Sequence, residues 1–441
     1  MTFAIVLQFL VVLAAIWMGA RSSGIGLGLW GAVGLLVLVA GFGINPTSPP
    51  IDVMLIILAV IMAASVMEAA GGIDFLVRIA ERIIRANPKY VTIVAPLTTW
   101  TFTFVAGTGH IVYPLLPVIY ETAHRSGIRP ERPMAVATIA SQQAITASPV
   151  AAATAAMIGL FAEKGMTQWG LPQILMVCVP ATLTGVVAAA IVSMFVGKDL
   201  KDDPEYQARL AAGQIPAPQA DTSRTPLKPG ARLSAFIFLA GVALVVLFGF
   251  FPSLRQLPGA KSPLAMPIVI EILMMSVAAI MLLVTKVAVD EVPKTATLRA
   301  GVVAVIGIFG LAWLGDSFIA ANKDVIVPAI GDWAKVAPWT FAFGLFLASV
   351  LLYSQAATTR ALMPLGIALG IPPQFLIAMF PSVNGYFFIP TYGSLIAAIN
   401  FDLSGTTKIG KYVLNHSFMI PGLVATSVAV FTGLAIARVI F

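Results

Sequence analysis

The sequence predicts an all-α polytopic membrane protein with about ten transmembrane helices plus two re-entrant hairpins, arranged as two inverted repeats. Three observations predict it. Of the 441 residues, 59% are hydrophobic and 10% charged, with a mean hydropathy of +0.96; a soluble domain carries about 25% charged residues. Apolar runs of spanning length follow one another along the chain, each near the roughly 20 residues a bilayer requires. The lysines and arginines, finally, fall overwhelmingly on one side of the topology these runs define.

The first repeat, residues 1–196, opens with runs near 3–20, 23–43 and 51–69. The segment 3–20 lacks a basic start and is longer than the apolar region of a signal peptide, so it reads as a span. Residues 73–85 set Leu76, Ile79, Ala80, Ile83 and Ile84 on one face and Asp74, Arg78, Glu81, Arg82 and Arg85 on the other. That pattern describes an amphipathic helix lying along the membrane surface. A hairpin at 91–120 follows, interrupted at its centre by small polar residues. A broken span at 134–162 and a span at 171–196 complete the repeat. Residues 197–231, rich in Asp, Pro and Lys, read as a cytoplasmic linker. The second repeat, 232–441, has the same order: spans at 232–251, 263–286 and 297–320, a hairpin at 339–370, a broken span at 374–399 and a span at 412–440.

With the N-terminus outside, 19 of the 26 basic residues fall on the cytoplasmic side, six fall outside, and Arg360 remains within a hairpin. This is the positive-inside pattern. The net charge of +7 therefore encodes topology against an anionic leaflet, and nucleic acid is not an expected partner. Five crossings per repeat is an odd number, so the second repeat is inverted and both termini face the periplasm. The lone cysteine, Cys178, excludes an intramolecular disulfide.

Inverted repeats with broken helices meeting near the midplane are the architecture of secondary transporters. Backbone is irregular at membrane depth only where it is buried or lines a wet cavity, and four stretches qualify. The first hairpin tip supplies Gly107, Thr108, Gly109 and His110; the first broken span supplies Ser141, Gln142, Thr146 and Ser148. The second hairpin supplies Ser354, Gln355, Thr358, Thr359 and Arg360, and the second broken span supplies Asn384, Tyr386, Thr391 and Tyr392. Each offers hydroxyl or amide groups and exposed helix ends, whose free N–H groups attract anions. Small residues with Ser and Thr also serve ordinary helix packing in membranes. "SQQAIT" at 141–146 resembles "SQAATT" at 354–359, although one lies in a broken span and the other in a hairpin.

Arg360 is the strongest single clue, because a buried arginine is costly and by default marks a functional site. Its planar fork matches a carboxylate bidentately; the rival reading is an arginine snorkelling from a shallow hairpin. His110 either carries a proton or donates to an anion, or simply caps the hairpin. Glu271 is either a partner charge or an interfacial residue, while Asp316 and Glu68, near span ends, are expected to be solvated. No metal-ligand spacing, nucleophile with a paired base, or phosphate loop is found. Neither an enzyme nor a cofactor or metal is expected.

The motifs "NPKYVTIVAP", "AGTGHIVYPLLPVIYE", "GIRPERPMA", "SQQAITASPVAA", "YSQAATTRALMP", "GYFFIPTYGS" and "FDLSGTTKIGKYVLNHSFMIPG" resemble the anaerobic C4-dicarboxylate transporter (Dcu) family along essentially the whole chain. The resemblance implies a bacterial inner-membrane carrier for fumarate, succinate, malate and aspartate, exchanging an external dicarboxylate for internal succinate. It also implies membership of the broader ion-transporter superfamily with paired hairpins. One carboxylate is then expected against Arg360 and the second tip, the other against the first tip and the break at Ser148, with Thr108 and Thr358 lining one cavity. Proton- or sodium-coupled symport of the same substrates is the alternative. Homo-oligomers and a membrane sensor kinase as partner remain compatible with either mode.

Overall fold

The computed structural model describes residues 3–22, 24–215, 226–260, 262–352, 354–410, 412 and 414–441, and no β-strand occurs among them. The protein is all-α and membrane-embedded. Its helices are α1 (Phe3–Ser22), α2 (Gly26–Phe42), α3 (Ile51–Ala69), α4 (Gly72–Ala86), α5 (Val91–Ala106), α6 (Val112–Arg125), α7 (Glu131–Ala147), α8 (Ala152–Glu163), α9 (Leu171–Ser193) and α10 (Pro204–Ala211). They continue with α11 (Ala231–Phe250), α12 (Met266–Thr285), α13 (Ala296–Gly307), α14 (Trp313–Val336), α15 (Phe341–Leu352), α16 (Gln355–Ala368), α17 (Pro373–Met379), α18 (Gly393–Phe401) and α19 (Met419–Ile440). Among the described residues, seven stretches are helical, long and apolar enough to cross a membrane, and α1 and α2 contain shorter apolar helices.

Each of the two interrupted apolar runs folds as two helices separated at the break. At a rise of 1.5 Å per residue, α5 and α6 reach about 24 and 21 Å, and α15 and α16 about 18 and 21 Å, short of the roughly 30 Å hydrocarbon core. The first broken span divides into α7 and α8 at residues 148–151. The second divides into α17, a 3-10 stretch at Phe380–Phe387 and α18. Among the described residues the stretch Glu131–Glu163 is the most enclosed of the spanning segments, almost wholly buried, and therefore sits at the centre of the molecule. By contrast α1, α2, α11 and α12 expose large apolar side chains such as Leu36, Phe236, Ile272 and Leu283, as helices facing lipid must.

Two spans depart from the sequence expectation. The span expected at 297–320 is one long helix from α13 through α14, joined by a π-helical turn at Ile308–Ala312, and it continues past Lys323 and Asp324 to Val336. Charged residues there do not stop the helix, because beyond the apolar layer they need only water. The span expected at 412–440 begins only at Met419. The preceding chain is fixed by Asp402, whose carboxylate accepts from the Ser404, Thr406 and Thr407 loop, and by the Lys408 N–H donating to Ser417 Oγ at 2.9 Å. Part of the linker also folds. Asp203 caps α10 by accepting from the Glu205 and Tyr206 N–H groups, whereas residues 216–225 of the expected linker lie outside the described residues.

Packing couples the two ends of the chain. Helix α9 runs along α19, α12 packs on α3, and α2 packs on the π-helical turn and α14. The loops that the charge count places on one side do touch one another. Glu68 accepts from the Ala296 and Thr297 N–H groups at 3.0 Å each, Lys228 donates to the Ala69 carbonyl at 2.8 Å, and Arg209 donates to the Ser404 carbonyl at 2.9 Å. Glu68 is thus a cap on α13 while staying partly exposed, as its position near a span end suggested. The amphipathic helix α4 buries Leu76, Val77, Ala80 and Ile84 against α5, α6 and α11.

Candidate functional site

A cavity of about 740 Å³ opens between the two hairpin tips and the two broken spans, within the size range of ligand pockets. Local sequence shapes the first tip. Gly107 ends α5 at φ +72°, and a Cβ there would meet the Val150 carbonyl oxygen at 2.6 Å. Thr108 is extended and its Oγ1 accepts from the His110 N–H at 3.3 Å, starting the 3-10 turn Gly109–Ile111 that leads into α6. Gly109 lies so close to Gln142 that a Cβ would sit 2.5 Å from its Nε2. The second tip repeats the device, with Ser354 extended and its Oγ accepting from the Ala357 N–H at 3.2 Å.

Four helices begin at this cavity. Gly109 and His110 precede α6, Ala152 and Ala153 open α8, Gln355, Ala356 and Ala357 open α16, and Thr391, Tyr392 and Gly393 open α18. Each helix start presents backbone N–H groups without intrahelical acceptors, and the aligned peptide dipoles place about half a positive charge there. Among the described residues, no aspartate or glutamate lines the cavity; Arg299, exposed at the start of α13, and His110 do. The electrostatics of the lining therefore favour an anion.

An amide chain joins the walls. Gln355 Nε2 donates to Gln142 Oε1 at 3.0 Å and to Asn384 Oδ1 at 3.2 Å. Asn384 Nδ2 donates to Gln143 Oε1 at 3.3 Å, and Gln143 Nε2 donates to Thr426 Oγ1 at 2.8 Å. The two similar motifs noted in the sequence thus meet through their glutamines. The chain links α7, α16, the second break and α19.

Of the residues expected at the site, Gly107, Thr108, Gly109, His110, Gln142, Ser354, Gln355, Thr391 and Tyr392 line the cavity. Asn384 and Tyr386 stand behind them; the Tyr386 ring lies 4.8 Å from that of Tyr392, and its hydroxyl is buried without a protein partner. The remaining six are not brought to the lining. Ser141 and Thr146 donate to the carbonyls of Thr138 and Gln143, Thr358 and Thr359 donate to those of Ser354 and Gln355, and Ser148 accepts from the Val150 N–H. Thr108 and Thr358 accordingly do not share one cavity wall.

Arg360 is also outside the lining. Its side chain is 1% exposed, with Nη1 3.0 Å from Glu163 Oε2 and Nη2 3.4 Å from Asp316 Oδ2. The guanidinium is neither snorkelling nor open to the cavity; it ties α16 to α8 and α14. Asp316 is its partner and not a solvated charge. Sequence reasoning missed Tyr113, Gln143 and Arg299. Tyr113 was findable, because it lies one turn from His110 and the two rings stack at 5.9 Å. Arg299 carried no signal, since it reads as one of many cytoplasmic charges.

The family described as anaerobic C4-dicarboxylate membrane transporter matches residues 4–441. The C4-dicarboxylate transporter DcuA of Escherichia coli K12 is 42% identical over 430 residues, covering 97% of this chain and 98% of its own. DcuA of Wolinella succinogenes is 40% identical over 437 residues, covering 99% and 100%. The anaerobic C4-dicarboxylate transporter DcuB of E. coli O6:H1 is 39% identical over 429 residues, covering 96% of each chain. Among solved structures, the YdaH transporter of Alcanivorax borkumensis aligns with a TM-score of 0.55 at 12% identity, over 92% of this chain and 87% of its own. MtrF of Neisseria gonorrhoeae aligns with a TM-score of 0.54 at 15% identity, over 93% and 85%. These two share the fold alone.

Proposed function

This chain belongs to the anaerobic C4-dicarboxylate membrane transporter family, and on that premise we propose that it carries a C4-dicarboxylate bound in the cavity between its two hairpin tips. The observation that carries the reading is the convergence of four helix N-termini, with Arg299 and His110, on a cavity without an acidic lining residue. Each helix start favours an anion by about 0.3–1 kcal/mol, and more where water is excluded. Two starts belong to one half of the chain and two to the other, so opposite walls suit the two ends of a short dicarboxylate such as fumarate, succinate, malate or aspartate. Thr108, Ser354, Gln142 and Gln355 supply the polar contacts that orient it.

The two halves act as inverted repeats. The exchange of partners, α12 on α3 and α2 on α14, supports this assignment, as does the pairing of the last helices α9 and α19. The positive-inside rule orients the protein in the bacterial inner membrane with both termini periplasmic. On that orientation the exposed lining residues Gly24 and Arg299 lie toward the cytoplasm, which supports reading the cavity as open inward.

Exchange is the mode that the lining supports best. An empty cavity leaves four helix starts without an anion, an arrangement that a bound dianion satisfies while the site is closed off from water. Among the described residues no carboxylate lines the cavity to hold a coupling cation, which leaves backbone carbonyls at the tips as the site a symporter would use. Counterflow tests this. Purified protein in succinate-loaded vesicles is expected to take up labelled fumarate with no ion gradient. Uptake that appears only with a proton or sodium gradient would overturn exchange in favour of symport.

A further inference from the structure

We propose that a groove between α4 and α11 binds the phosphate headgroup of an anionic phospholipid, with its acyl chain running along α11. The groove has a volume of about 730 Å³ and is remote from the dicarboxylate cavity, with no lining residue in common. Arg78, Arg82 and Arg85 recur on one face of α4, and Arg232 faces them from the first turn of α11; among the described residues, no carboxylate lines the groove. Arg82 and Arg232 are exposed. The Arg232 guanidinium lies 5.9 Å from the Phe75 ring centroid. Arg85 gives Nη1 to Glu121 at 2.6 Å, while its Nε is buried without a partner.

Two features select a lipid over a soluble anion. The arginines sit on an amphipathic helix at the end of a spanning helix, the depth at which headgroup phosphates lie, and basic pockets there recognise anionic lipids. The groove also runs directly into apolar surface. Phe236, one turn beyond Arg232, is 62% exposed, and Leu247 and Phe250 continue the same exposed stripe along α11. A free phosphate or a dicarboxylate would use the arginines and leave that stripe unused; a phospholipid uses both.

The test is thermal unfolding of the lipid-stripped full-length protein in detergent, titrated with phosphatidylglycerol, with phosphatidylcholine of the same chain length, and with inorganic phosphate. Phosphatidylglycerol alone is expected to raise the midpoint. Arg82→Gln with Arg232→Gln should raise its half-saturating concentration about 30-fold, from roughly 1 kcal/mol per basic residue near an anionic headgroup. Phe236→Ala, which also gives up a ring contact with Phe75 at 6.0 Å, should weaken phosphatidylglycerol several-fold when its shift is read against its own lipid-free midpoint. Equal stabilisation by phosphatidylcholine, reproduction of the shift by inorganic phosphate, or an unchanged titration in the arginine variant would each overturn the proposal. Should that variant fail to fold, native mass spectrometry of the wild-type protein decides: preferential retention of phosphatidylglycerol supports the site, and equal retention of both lipids refutes it.

Discussion

Arg299 and Arg360 present the same guanidinium in opposite settings, and their substitutions should separate accordingly. Arg360 is 1% exposed and shared between Glu163 and Asp316. Removing it strips the shared counter-charge from the largely buried Asp316 and from the partly exposed Glu163, and water at Glu163 holds the cost below the roughly 3–5 kcal/mol of a fully buried pair. Arg360→Ala is therefore expected to lower the unfolding midpoint strongly, with Arg360→Lys recovering part of it because the charge returns without the fork. Arg299 is exposed at the cavity mouth, where screening holds its contribution to about 1 kcal/mol or less. Arg299→Ala should keep the midpoint and weaken succinate binding by up to about fivefold. Thermal unfolding and succinate titration on the same two purified variants check both, and the reversed pattern would move the anion's counter-charge back to Arg360. The sequence separates the two by depth, with Arg360 within a hairpin and Arg299 among the cytoplasmic charges, but not by role, since the partners of Arg360 lie 197 and 44 residues away.

At the scale of elements, the four helix starts depend on tips that can be tight only with particular residues. Gly107 needs a positive φ, and any Cβ would meet the backbone carbonyl of Val150. Gly107→Ala is expected to cost about 1–2 kcal/mol of stability, the penalty of a left-handed conformation for a residue with a Cβ, and to reduce counterflow as well. At Gly109 the obstacle is the end of the flexible Gln142 side chain. Gly109→Ala should leave the unfolding midpoint nearly unchanged and reduce counterflow by displacing Gln142 from Gln355. Equal melting losses in the two variants would contradict this division. The breaks themselves were legible, because Gly, Ser, Thr and Pro interrupt apolar runs whose remaining halves are too short to span. Which hydroxyls point inward was not. Around α16, Ser354 and Gln355 face the cavity, whereas Thr358 and Thr359, on the next turn, donate to their own helix.

For the whole molecule, composition, run length and charge bias were enough to place most helices, because lipid allows few ways of satisfying a backbone. Long-range packing was less legible. The late start of α19 follows from the Asp402 loop, a network of local hydrogen bonds that an apolar run cannot announce. The packing nonetheless yields one central cavity walled by both halves of the chain, and that is the claim on which the functional account rests. Cysteine accessibility tests it most directly. In a Cys178→Ser background, with the native thiol buried and silent, Thr108→Cys and Ser354→Cys each place one thiol on opposite tips. The account predicts that a polar maleimide labels both, and that succinate protects both with the same half-maximal concentration. Protection of one tip only, or of neither, would contradict a single dicarboxylate site between the hairpins.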